Sequence, residues 1–137
     1  MYAAMGYRDC SRLGEKEITA GEESVPVRTL DPEEYAARRR ALLPEGGLIQ
    51  EGANIAYLAT YAGLYAAGDT IFAAVHGEDH LFLTELLGDP ALAPKILKAM
   101  GYDRGTCRIP GEDIPFAMYL PLREDAPMPT YLGLAFD

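Results

Sequence analysis

Residues 70–101 read TIFAAVHGEDHLFLTELLGDPALAPKILKAMG, and the order of elements in this stretch decides the fold. Thr70–His76 and Leu81–Leu87 are short apolar runs of strand length. The four residues between them, Gly77-Glu78-Asp79-His80, have the length and composition of a hairpin loop. Asp89-Pro90 then signals a helix start, an acidic cap followed by a proline that suits the first turn. Leu92, Ile96, Leu97 and Met100 recur on one side of that helix, which is expected to end at Gly101.

Upstream, residues 25–30 predict a short strand, with Pro26 placing it at a sheet edge. Asp31-Pro32-Glu33-Glu34 opens a helix by the same cap-plus-proline logic, with Glu34 at the carboxylate position of a capping box. That helix is expected to stop before Pro44. A second is expected over residues 53–67, ending at Gly68, with Tyr57, Tyr61 and Tyr65 forming a stripe toward the core. Downstream, strands are expected at 105–109, 116–122 and 130–136. In the middle one Phe116, Met118, Leu120 and Leu122 alternate with Ala117, Tyr119 and Pro121, a period of two. The order predicts an α+β domain, a mostly antiparallel mixed sheet flanked by helices. Residues 1–24 stand apart as a short helical turn, a mixed polar stretch and a small acidic linker over 19–24.

The 137 residues carry 12 Lys and Arg against 21 Asp and Glu, a formal charge of −9. Such a chain is repelled by nucleic-acid phosphates and by anionic membrane surfaces, so neither is an expected partner. Cys10 and Cys107 make no disulfide framework, and no apolar run reaches the ~18 residues of a membrane span, so a reducing, cytoplasmic setting is expected. His76 and His80 flank the hairpin loop without a third ligand at a fixed spacing, and no metal is expected. Arg38-Arg39-Arg40 reads as a salt-bridged surface of the first helix.

Ala4-Met5-Gly6-Tyr7 recurs as Ala99-Met100-Gly101-Tyr102. The longer stretch Tyr2-Ala3-Ala4-Met5-Gly6-Tyr7-Arg8-Asp9 resembles the aromatic-x-x-x-Gly-Phe/Tyr motif that closes the last helix of the GNAT family of acyl-CoA-dependent N-acyltransferases. The element order from Val25 resembles a domain of that family. The resemblance implies an acyl-CoA N-acyltransferase-like fold, acetyl-CoA as cofactor, and acyl transfer from a thioester to an amine. It also implies that residues 1–24 are the tail of a preceding GNAT-like domain plus a linker, and that 25–137 are a second, diverged copy.

Within this resemblance Tyr2 matches the tyrosine that protonates the departing thiolate, whereas the second copy has Leu97 at the equivalent place. Glu85 lies on the strand that often carries the family's general base, but strand alternation favours its turning to solvent or toward an arginine. Leu86, Leu87 and Gly88 match the cofactor loop, whose family form is Gln/Arg-x-x-Gly-x-Gly/Ala. Here the sequence departs: no Gln or Arg stands at the expected spacing, one glycine is present, Pro90 lacks an N–H, and Asp89 brings a negative charge to the anion's place. The expectation is an acetyltransferase-related domain without acyl-CoA transfer of its own. The alternative is a non-catalytic module that binds a small ligand or forms a homodimer through an apolar hairpin over 116–136.

Overall fold

The apolar runs at 70–76 and 81–87 cover both faces of their strands, so they belong mid-sheet, where layers cover both sides. The structure, a computed structural model describing residues 2–134, places them there. The strands are β1 (Arg8–Asp9), β2 (Arg12–Thr19), β3 (Arg28–Thr29), β4 (Gly63–Ala67), β5 (Thr70–His76), β6 (Leu81–Leu87), β7 (Arg104–Pro110), β8 (Ile114–Pro115) and β9 (Met118–Tyr119). The helices are α1 (Pro32–Leu42), α2 (Gly52–Leu58) and α3 (Ala93–Met100), with 3-10 turns at Tyr2–Met5 and Pro90–Leu92. A seven-stranded sheet has the order β3-β4-β5-β6-β7-β2-β8, and β1 pairs separately with β9. Among the described strands β6 and β7 run parallel, and the other strand pairs are antiparallel.

Two apolar cores lie on opposite faces of the sheet. Leu64, Ala66, Ile71, Ala73 and Leu87 pack with Tyr35 of α1, Ile55 and Leu58 of α2, and Tyr131. Phe72, Ala74, Leu81, Leu83 and Leu86 pack with Ile96 and Leu97 of α3, with Val25 and Val27 against their edge. Along β6, Leu81 and Leu83 share the α3 face, so strict alternation would put residue 85 there too. A bulge prevents this. Ala73 pairs with Glu85 while Ala74 pairs with Leu83, leaving Thr84 as the extra residue. One added residue reverses the alternation, and Glu85 turns to the α1 face.

The start of α1 follows its sequence signal: the Asp31 carboxylate accepts the Glu34 N–H at 2.8 Å, and Pro32 opens the helix. β5, its hairpin, β6, α3 and β7 also lie where they are expected. The expected helix over 53–67 does not form as one element. It stops at Leu58, and residues 63–67 become β4. Gly68, with φ of +61°, and Asp69 make the two-residue turn of a hairpin, since Ala67 pairs with Thr70. The tyrosine stripe is thereby split. Tyr57 and Tyr61 are exposed, and Tyr65 stacks on Phe72 from β4.

The expected strands at 116–122 and 130–136 reduce to Met118–Tyr119 and a single bridge between Gly47 and Tyr131; residues 135–137 lie outside the described residues. Pro115, Pro121, Pro127 and Pro129 remove ladder donors throughout this stretch. The polar stretch after Tyr7 is not a loose tail, because β2 is hydrogen-bonded between β7 and β8. Among the described residues no helix is long and apolar enough to cross a membrane.

Candidate functional site

The bulge at Thr84 aims Glu85 at the second turn of α1, where Tyr35 and Arg39 stand four residues apart on one helix face. All three are fully buried. Arg39 donates from Nε to Glu85 Oε1 at 2.8 Å and from Nη2 to Oε2 at 3.1 Å, a bidentate pair. The hydroxyls of Tyr35 and Tyr131 donate to Oε1 and Oε2, each at 2.9 Å. Arg39 also donates to the carbonyls of Leu48 and Leu132. The Glu85 carboxylate therefore accepts four hydrogen bonds from the protein and has no solvent contact. A general base needs a face toward the substrate proton, and this geometry gives Glu85 none. Arg39, expected on the surface, is the buried partner of that carboxylate, whereas Arg38 and Arg40 stay outside with Glu34 and Glu51.

Burial, then the adjacent Glu85 charge, pushes the phenols of Tyr35 and Tyr131 well above their ordinary value. Since the unfolded chain gives up these protons first, the tyrosines' contribution is complete below about pH 10 and lost as pH rises beyond it. Denaturant melts above that pH should show stability falling by up to about 1.4 kcal/mol per pH unit for each tyrosine. Tyr35→Phe should flatten the slope; a slope unchanged by it would show that Tyr35 ionises equally in both states.

At the far end of β6, Leu86 and Leu87 bury their side chains in the α3-side and α1-side cores, and Gly88 has φ of +122° against the Thr70 side chain. The backbone that follows decides whether an anion can sit there. Asp89 donates its N–H to Thr70 Oγ1 at 2.9 Å. Pro90 has no N–H. Ala91 donates to the Asp89 carboxylate at 3.0 Å, and Leu92 to the Asp89 carbonyl at 3.2 Å. Ala93 donates to the Pro90 carbonyl, and Pro94 again has no N–H. No residue from 89 to 94 has a free backbone donor. A charge-assisted hydrogen bond contributes roughly 1.5–3 kcal/mol, whereas the helix dipole alone supplies about 0.3–1 kcal/mol, here already answered by Asp89. These residues do not fit the diphosphate of a coenzyme.

The remaining candidates are spread out. Tyr2 belongs to the 3-10 turn Tyr2–Met5, and its side chain falls outside what the structure describes. His76 lies between the hydroxyls of Tyr65 and Tyr102, and His80 contacts Thr106 Oγ1, which in turn donates to Glu17. Among the described residues no group of three or more His, Cys, Asp or Glu is placed to hold a metal ion. Burial pushes the Cys107 thiol up to about 12, which keeps it protonated and unreactive. Sequence reasoning missed Arg39, Tyr131 and the Thr84 bulge; the signal for Arg39 was its four-residue spacing from Tyr35 on a helix face.

With this geometry in view, the fold resembles that of a GCN5-related N-acetyltransferase from Kribbella flavida, with a TM-score of 0.55 and 17% sequence identity. The match covers 82% of this chain and 34% of the other, so the chain spans about a third of that protein's length. The likeness extends to the fold: a helix-flanked mixed sheet of the acyl-CoA N-acyltransferase type. No family model and no curated protein matches the sequence.

Proposed function

We propose that this chain is an acetyltransferase-related domain that does not take up acetyl-CoA in the manner of its fold relatives and carries out no acyl transfer on its own. The observation that carries this reading is the spent backbone from Asp89 to Pro94, where every N–H is bonded within the turn, bonded to Thr70, or missing. A diphosphate entering there meets the Asp89 carboxylate and no donor. Glu85 acts in this reading as a buried anchor that ties β6, α1 and the 131–134 segment together, not as a base. Leu86, Leu87 and Gly88 serve packing and the turn.

The same reading takes residues 1–24 as the tail and linker of a preceding GNAT-like domain and residues 25–137 as a diverged copy. Both members of the Ala-Met-Gly-Tyr repeat support it: each ends a helical turn at a glycine of positive φ, +91° at Gly6 and +83° at Gly101. The first long strand after each, β2 (beyond the short β1) and β7, pairs with the other. Tyr2 would then serve the preceding domain. A homodimer through a hairpin over 116–136 loses its basis, since the described part of that segment forms no such hairpin.

Thermal melting of the full chain with acetyl-CoA tests the proposal. A ligand at about 100 times its dissociation constant adds roughly 2.7 kcal/mol to the folded state. No rise in Tm is expected at millimolar acetyl-CoA. A clear rise with acetyl-CoA that free pantetheine does not produce would overturn the reading.

A further inference from the structure

The parallel strands β6 and β7 touch over a short distance only. Leu81 pairs with Gly105, Phe82 with Thr106 and Leu83 with Cys107. The closest approach needs Gly105, because a Cβ there would run into the Leu81 carbonyl. Beyond these pairs β6 continues to Leu87 and β7 to Pro110 without bonding each other. Two cavities occupy the opening. One, of about 260 Å³, lies against Lys16, Ile18, Ala91 and Cys107; the other, of about 250 Å³, lies against Leu42, Leu86, Leu87 and Pro110. Pro90 and Ile109 line both. Lys16 and Cys107 sit opposite each other on β2 and β7, and Leu42 belongs to α1, so the two cavities lead from one side of the sheet toward the other.

Lys16 is the charged residue of these walls, it is exposed, and it makes no ion pair with a described residue. Everything else lining them is apolar, glycine or the protonated thiol of Cys107. Each cavity is slightly below the usual ~300–1,000 Å³ of a ligand site, and the two, which share Pro90 and Ile109 as walls, reach that range together.

We propose that this cleft binds an aliphatic monocarboxylate, its chain passing Ile109 and its head paired with Lys16. The proposal rests on the reading that the start of α3 rejects a diphosphate. Lys16 is the one charged group of the walls, and one ammonium answers one carboxylate. The apolar length of the cleft gives the affinity, and Lys16 at its mouth gives the polarity and direction of entry.

Calorimetric titration of the full chain with sodium octanoate, hexanoate, octan-1-ol, octylamine and acetyl-CoA tests this. Octanoate is expected to bind saturably at one site, and hexanoate, two methylenes shorter, about fifteenfold more weakly, since each buried methylene contributes roughly fourfold. Octanol should bind severalfold more weakly than octanoate, and octylamine not measurably. Lys16→Met should reduce octanoate to the affinity of octanol and leave octanol unchanged. Ile109→Trp should abolish binding of both; Ala91→Phe, at an exposed position on the cleft wall, does the same should the tryptophan variant fail to fold. Absence of saturable octanoate binding overturns the proposal, as does octanoate binding indifferent to Lys16→Met and to the blocking variants. Acetyl-CoA binding would instead sink the functional reading, so the two failures are distinguishable.

Discussion

Replacing Arg39 with alanine is expected to cost about 3–5 kcal/mol of folding stability, the usual effect of leaving one member of a buried ion pair without its partner. The Glu85 carboxylate would keep its two tyrosine donors and lose both guanidinium bonds, and the carbonyls of Leu48 and Leu132 would lose theirs. Against the ~5–15 kcal/mol total of an ordinary domain this is a large fraction. Urea melts measure it directly. The double variant Arg39→Met with Glu85→Leu should be more stable than Arg39→Ala, because it leaves no buried charge. An Arg39→Ala protein within about 1 kcal/mol of the parent would mean that water reaches the cluster.

Gly133→Ala should be nearly as damaging, by about 2–5 kcal/mol, from two additive causes. Gly133 has φ of +72°, where an L side chain is strained, and its Cβ would press on Glu85 Oε2 and the Tyr131 ring. Gly101→Ala separates the two causes. Gly101 shares the left-handed backbone, at +83°, but a Cβ there meets nothing within 4 Å, so only about 1–2 kcal/mol is expected. Equal losses at the two positions would show that the 131–134 segment yields easily and does not clamp the cluster.

What could be read from the sequence follows from where the deciding interactions are local. Asp31 and Pro32 fix the start of α1 within one turn, and 70–76 and 81–87 declare themselves as strands by apolar content alone. The stretch 53–67 misleads because tyrosines at a spacing of four imitate a helix face, while Gly68-Asp69 closes a hairpin. β2 is equally opaque. Glu15, Lys16 and Glu17 are exposed, so its strand character comes from neighbours on both sides and not from its own pattern. The candidate base shows the limit most clearly. Glu85 can be singled out by type, but its face depends on one extra residue at Thr84, and its partners come from residues 35, 39 and 131.

The position of β2 has a kinetic consequence. It is synthesised before α1, yet its ladder partner β7 emerges after α3, with Lys16 facing Cys107 across most of the chain. Contacts so distant in sequence slow the search for the native state. On the ribosome β2 must therefore wait, with both backbone edges open, until the rest of the sheet has been made. That interval is when it is most exposed to mispairing with another nascent chain.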